Sequence, residues 1–126
     1  MRWRKRSTAN EIAERSVARA RRLLKAQDAD LIASVFHYGA VDIDAAHLVV
    51  WVLLTSPPEA IPPWCFYPER PDGQSIAPDL RSKLIDIQAL VRSCLAREEW
   101  PNAAHVSVGF DSAQRVDEGG GWYYFK

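Results

Sequence analysis

The residue types that most often carry chemistry are few in this chain of 126 residues, and they are widely spaced. The histidines His37, His47 and His105 form no HxxxH or HxH pair, and no Cys/His group has zinc-finger spacing. Cys65 has no accompanying oxyanion signal, although a Cys–His pair formed in space stays open. We therefore predict no catalytic residue, no metal site and no cofactor.

Two carboxylates, Asp42 and Asp44, stand close enough in sequence to suggest a metal or acid–base pair. No third ligand lies at a fitting spacing, whereas aspartate is common in turns because its side chain bonds nearby backbone amides. We interpret the pair as turn residues that lead into the next strand.

The two cysteines, Cys65 and Cys94, are far apart and form no CxxC pair. Because the sequence shows no secretory signal, we predict reduced thiols and a cytoplasmic protein. The longest apolar run, residues 48–54, is too short to span a bilayer, so no membrane partner is expected.

The formal net charge is zero, but the charges are unevenly distributed. Residues 1–25 carry nine basic and two acidic side chains, whereas residues 26–126 carry seven basic and fourteen acidic ones. We expect residues 1–8 to form a flexible basic arm, because chain termini are usually loose. Three further basic residues, Arg15, Arg19 and Arg22, share one helix face, which is solvated, lies on an acidic part of the same domain, or binds phosphates.

Hydrophobic periodicity predicts two long helices, one over residues 9–24 and one that starts between residues 75 and 78 and ends before Pro101. We expect Leu80, Leu84, Ile87, Val91, Cys94 and Leu95 to form the apolar stripe of the second helix, widened by Ile85 and Leu90. Residues 31–38 are compatible with either helix or strand. Residues 47–55 indicate a central strand with both faces covered, because their apolar run is continuous.

A stiff loop over residues 56–73 holds six of the eight prolines. It also carries three aromatic residues, Trp64, Phe66 and Tyr67. These either cover the core or offer an aromatic surface to a partner.

The end of the chain predicts a strand over residues 105–110, a short helix capped by Asp111 or Ser112, and a second strand over residues 122–125. Trp122 is expected to be buried beside Val106 and Val108. We identify no internal repeat and no low-complexity segment. Together these elements predict one α+β domain over residues 1–126, with a long N-terminal helix, a small mainly antiparallel sheet and a second long helix on one face.

The segment Phe110-Asp-Ser-Ala-Gln-Arg-Val-Asp-Glu-Gly-Gly-Gly-Trp-Tyr-Tyr-Phe125 resembles the C-terminal signature of a family of small bacterial α+β proteins. The segment Gly39-Ala-Val-Asp-Ile-Asp-Ala-Ala-His-Leu-Val-Val-Trp51 is similar to the first half of those proteins. Many of them act as immunity proteins, so the resemblance implies a protein that binds a cognate toxin. It transfers no catalytic residue.

We therefore predict a non-catalytic protein that neutralises a cognate bacterial toxin by direct binding. A basic nuclease toxin would suit the acidic part of the chain, because complementary charge speeds association. Alternatives are a nucleic-acid-associated accessory protein that uses the basic first helix, and a small enzyme of unknown chemistry. The predicted partner contacts are Asp42, Asp44, Trp64, Tyr67, Asp111, Asp117 and Glu118.

Overall fold

The computed structural model describes residues 7–70 and 76–125. Its regular elements are the helices α1 (Ala9–Asp28), α2 (Pro78–Arg97) and α3 (Ala113–Glu118) and the strands β1 (Ile32–Tyr38), β2 (Val49–Leu54) and β3 (Ser107–Ser112). Short 3₁₀ turns precede β2 and β3, and a further one over Gly121–Phe125 ends the described chain. The predicted α+β class with two long helices is confirmed.

Helix α1 begins where the predicted basic arm ends. The Thr8 hydroxyl accepts a 3.1 Å hydrogen bond from the backbone N–H of Glu11, which satisfies one of the free amides of the first turn. Residue 8 is therefore the cap of the helix, while residues 1–6 of the predicted arm lie outside the described residues.

Helix α2 begins at Pro78 and buries the predicted stripe from Leu84 to Leu95. Ile85 points away from the core and is an exposed apolar residue, so its predicted place in the stripe is wrong. The reason is angular: Ile85 lies about 100° around the helix from Leu84, on the side away from Ile87, Val91 and Cys94. None of the helices in the described residues is both long enough and apolar enough to span a membrane.

The sheet has the order β1-β2-β3 and is mixed rather than mainly antiparallel. Strands β1 and β2 are antiparallel, whereas β2 and β3 are parallel because the chain between them crosses over through α2. Residues 31–38, which the sequence left open, form the edge strand beside β2. The predicted central strand is confirmed, with Val50, Val52 and Leu54 facing the helices and Trp51 and Leu53 facing the other way.

A short repeated motif leads into the two parallel strands, so the expectation of no internal repeat is wrong at this point. Residues 44–50 read Asp-Ala-Ala-His-Leu-Val-Val, and residues 102–108 read Asn-Ala-Ala-His-Val-Ser-Val. In both copies Ala-Ala-His forms one 3₁₀ turn, and the next residue donates its N–H to the first alanine carbonyl. The parallel register places Val50 beside Val108, its counterpart in the other copy.

The end of the chain differs from the predicted second strand. Gly120 and Gly121 have φ values of +101° and +62°, which turn the chain back so that residues 121–125 form a 3₁₀ turn over the sheet. Phe125 enters the core, whereas Trp122 is half-exposed, so its predicted burial is wrong. Val108 faces α1 and α2, while Trp122 lies on the opposite side of the sheet.

Candidate functional site

The face of the sheet that does not carry α1 and α2 is covered by aromatic side chains. They come from the edge and central strands, the proline-rich loop and the C-terminal turn, and we call this set the aromatic face: Phe36, Tyr38, Trp51, Trp64, Phe66, Trp122, Tyr124 and Phe125. Neighbouring ring centroids lie between 4.8 and 6.5 Å apart. The contacts join all eight rings into one continuous network.

Phe125 is the centre of the aromatic face. Its ring lies 4.8 Å from the buried ring of Trp51 and 5.5 Å from Phe36. Trp64 and Trp122 flank Phe125 at 6.4 and 6.5 Å, and they leave 48% and 52% of their surface exposed. The indoles of Trp64 and Trp122 are thus each about half exposed to solvent while they pack against the buried Phe125 ring.

Gly109 in β3 makes room for this packing. A Cβ atom at position 109 would lie 2.6 Å from the Phe66 ring and 2.9 Å from the Trp51 ring, closer than real side chains approach. The absent side chain lets the proline-rich loop bring Phe66 down onto the sheet. The loop is further held by a pair of backbone hydrogen bonds between Cys65 and Phe110, at 2.9 and 2.8 Å.

The carboxylate of Asp111 connects three segments beneath the aromatic face. One oxygen accepts from the Ser112 backbone N–H at 2.8 Å and from Arg115 Nη1 at 2.7 Å. The other accepts from the Trp64 backbone N–H at 3.1 Å and from the Tyr124 hydroxyl at 2.7 Å. Asp111 is fully buried, so its predicted role as a partner contact is wrong. Buried carboxylates persist where they are paired and hydrogen-bonded, as this one is.

Arg115 extends the same network into the proline-rich loop. Its Nη2 atom donates to the carbonyl oxygens of Pro58 and Ile61, at 2.5 and 2.8 Å. Burial, followed by the hydrogen bond to Asp111, raises the pKa of Tyr124 to about 12, so the phenol remains a donor at neutral pH. The network therefore fixes both the loop and the C-terminal turn.

Helix α3 is capped by the second of the two predicted candidates. The Ser112 hydroxyl accepts from the Arg115 backbone N–H at 3.4 Å, which leaves Asp111 free for the buried network. Asp117 and Glu118, in the last turn of α3, are exposed.

The four exposed acidic residues of the predicted contact set do not form one surface. Asp42 and Asp44 precede β2, whereas Asp117 and Glu118 follow β3. Because β2 and β3 are parallel, the two pairs lie at opposite ends of the sheet, on the order of 20 Å apart for strands of this length. Asp42 and Asp44 instead accept from backbone amides, of Asn10 at 3.1 Å and of Ala46 at 2.9 Å.

The predicted aromatic contacts, Trp64 and Tyr67, are both exposed, and Arg70 lies 4.3 Å from the Tyr67 ring centroid. Trp122 was not among the predicted partner contacts. The alternation of Phe36 and Tyr38 in residues 31–38 was a usable signal for an aromatic face of the sheet, because a strand places both rings on the same side.

Comparison of the chain with models of known protein families, with curated proteins and with solved structures finds no match. The likeness to immunity proteins remains a prediction. The site must be interpreted from its own geometry.

Neither cysteine of the described residues has the lowered pKa of a cysteine nucleophile. Burial raises the pKa of the Cys65 thiol, which is opposite to the shift that activates a cysteine nucleophile. Cys65 and Cys94 are free and buried. In the part of the chain that the structure describes, no group of three or more His, Cys, Asp or Glu side chains is placed to hold a metal ion.

Charge is segregated between the long helices and the rest of the described chain. Helix α1 carries five basic and three acidic side chains, and α2 carries four basic and two acidic ones. The described residues outside these two helices carry ten acidic and two basic side chains. The segments that build the aromatic face thus belong to the acidic part of the molecule.

Proposed function

We propose that this protein is a non-catalytic binding module that recognises a partner protein through the aromatic face. The observation that carries the proposal is the pair of half-exposed indoles, Trp64 and Trp122, on either side of the buried Phe125 ring. Exposed clusters of large apolar side chains are uncommon on monomers, and tryptophan is enriched among the residues that dominate binding energy at interfaces.

Rigidity supports the same proposal. Trp64 is held through its backbone N–H by Asp111, and Trp122 belongs to the turn that Tyr124 ties to the same carboxylate. A surface that is ordered before binding loses less conformational entropy when the partner arrives. The Asp111 network therefore prepares both indoles for contact at the same time.

The partner that we propose is a bacterial toxin with a basic surface. The acidic end of α3, where Asp117 and Glu118 are exposed, packs beside the C-terminal turn of the aromatic face, and complementary charge would steer a basic protein toward it. The resemblance to immunity proteins supplies the toxin as the class of partner. The buried, fully engaged Asp111 and the raised pKa of Cys65 favour binding over catalysis.

Co-expression with the product of the adjacent gene in a sensitive host tests this function. We expect the wild-type chain to rescue growth and to co-purify with the toxin. Absence of both rescue and co-purification would refute the toxin-binding proposal.

The proposed surface is tested by the double variant Trp64→Ala/Trp122→Ala. We expect dissociation at least about 100-fold faster, because two indole anchors cost about 2 kcal/mol or more each at an interface. The matched control is Ile43→Ala/Ile85→Ala, which removes two exposed apolar side chains outside the aromatic face and should leave binding unchanged. Rescue and affinity that survive the tryptophan variant would keep the function and exclude this surface.

A further inference from the structure

A second feature lies on the helix side of the sheet, away from the aromatic face. A groove of about 290 Å³ runs between α1 and the end of α2, and it is lined by Arg15, Arg19, Arg22, Arg97 and Ser16, among others. We call these five residues the arginine groove. The sequence singled out the three arginines of α1, and the structure adds Arg97 and Ser16.

The arginines converge because of helix geometry. Positions 15, 19 and 22 are separated by four and three residues, which places them on one face of α1. Arg97 comes from the last turn of α2, which packs against α1. The groove is therefore built by two elements that the hydrophobic core holds together.

Positive charge in the arginine groove is only partly compensated. Arg15 donates to Glu98 at 2.5 Å, and Glu98 also lines the groove. Within residues 7–70 and 76–125, no carboxylate lies at ion-pair distance from Arg19, Arg22 or Arg97. Among the described residues, three guanidinium groups of the groove thus have no carboxylate partner.

Ser16 provides an independent indication of a ligand. The residue is 1% exposed and lines the groove, yet its hydroxyl has no hydrogen-bond partner among the described residues. A serine inside a helix usually bonds a carbonyl one turn back, and a buried hydroxyl without a partner is costly. An oxygen atom of a bound ligand would satisfy this hydroxyl.

The buried Cys94 thiol of α2 lies near the same guanidinium groups. Burial raises the pKa of the Cys94 thiol, while the charges of Arg19, Arg97 and Arg22 and a hydrogen bond from Arg19 oppose that rise. Arg19 and Arg22 of α1 and Arg97 of α2 therefore all lie near the buried Cys94 thiol.

We propose that the arginine groove binds a phosphate group. Phosphate oxygens match the forked donors of arginine, and Ser16 can add a neutral donor at the base of the site. The arginine groove shares no residue with the aromatic face, so the proposal stands independently of the toxin-binding function. Such a phosphate group belongs either to a nucleic-acid strand or to a small phosphorylated compound.

Two probes distinguish these sources: pyrophosphate, followed by calorimetry, and a labelled single-stranded RNA, followed by fluorescence anisotropy. Each is measured in about 50 and 200 mM salt, because binding of a strand that contacts several phosphates weakens steeply with added salt. A steep salt dependence with RNA bound far more tightly than pyrophosphate identifies a strand. Equal affinities, or pyrophosphate bound more tightly, identify a small ligand.

The residues are tested by Arg19→Gln and Arg22→Gln, with Lys83→Gln as the matched control. Lys83 is an exposed cation on α2 that pairs with Asp28 outside the groove. We expect each arginine variant to weaken phosphate binding about tenfold or more, as the loss of a charge-assisted hydrogen bond implies, and the control to change it by less than about twofold. An equal loss in the control would show unspecific charge attraction and overturn the site.

Ser16→Ala separates a ligand-binding role from a structural one. Because the hydroxyl has no described partner, the variant should keep or increase the midpoint of chemical unfolding while phosphate affinity falls several-fold. A fall in stability without loss of affinity would overturn the role of Ser16. Failure of the intact chain to bind either probe, or equally tight binding of an acidic peptide, would overturn the phosphate assignment.

Discussion

The Tyr124 hydroxyl donates a 2.7 Å hydrogen bond to the fully buried carboxylate of Asp111, and this contact joins the C-terminal turn to the end of β3. The same carboxylate holds Trp64 through its backbone N–H. The two half-exposed indoles of the aromatic face therefore depend on one buried acid, whose loss would release both segments together.

Replacement of Asp111 should destabilise the fold rather than weaken one surface contact. We expect Asp111→Ala to lower the free energy of unfolding by about 3–5 kcal/mol, because Arg115 and three other donors lose their acceptor beneath the surface. Urea unfolding followed by tryptophan fluorescence measures the change. The control Asp117→Ala, at an exposed position, should stay within about 0.5 kcal/mol. A cost below about 1 kcal/mol for Asp111→Ala would contradict the network.

The pKa of Tyr124 predicts a loss of stability in alkali. The folded value of about 12 exceeds the ordinary value of 10.0, so the folded chain retains a proton that the unfolded chain releases. The stabilisation is complete below pH 10 and is lost as the pH rises toward 12. Urea unfolding at a series of pH values should show a steeper decline for the wild type than for Tyr124→Phe. Parallel declines would show that Tyr124 does not titrate with folding.

Truncation of two aromatic residues at the end of the chain should have unequal effects. Phe125 is buried against Trp51, whereas about half of Trp122 is exposed. We expect Phe125→Ala to cost about 3–5 kcal/mol and Trp122→Ala less than half as much, because less apolar surface leaves solvent at position 122. Equal costs, measured by chemical unfolding, would place Trp122 in the core after all.

Gly109→Ala should disturb the aromatic face from below. The new methyl group would meet the rings of Phe66 and Trp51 inside the ordinary contact distance, so Phe66 must move outward. We expect a cost of about 1–3 kcal/mol, typical of overpacking, and a change in tryptophan fluorescence. Val108→Ala is a useful comparison, because it removes volume from the other face of the sheet and should leave the environment of Trp51 unchanged.

Local sequence patterns determined the elements that have a long and regular apolar pattern. The stripe of α2 and the continuous apolar run of β2 were readable because period and length distinguish a helix from a strand. The charge asymmetry and the shared face of Arg15, Arg19 and Arg22 were likewise visible, since spacing alone sets which helix residues are neighbours.

Tertiary structure decided on which face of the sheet each of the residues 121–125 lies. It also decided which acidic side chains are hydrogen-bonded within the chain. Nothing in residues 121–125 shows that positive φ values at Gly120 and Gly121 convert an apparent strand into a turn. Asp111 resembles any polar residue at a strand end until Arg115, Tyr124 and the Trp64 backbone meet it. Its burial depends on donors distant in sequence, and the separation of the acidic pairs depends on a parallel crossover. Long-range contacts of this kind leave no local pattern in the sequence. The sequence by itself therefore determined the main helices and strands, whereas tertiary packing decided which residues come together in the sites.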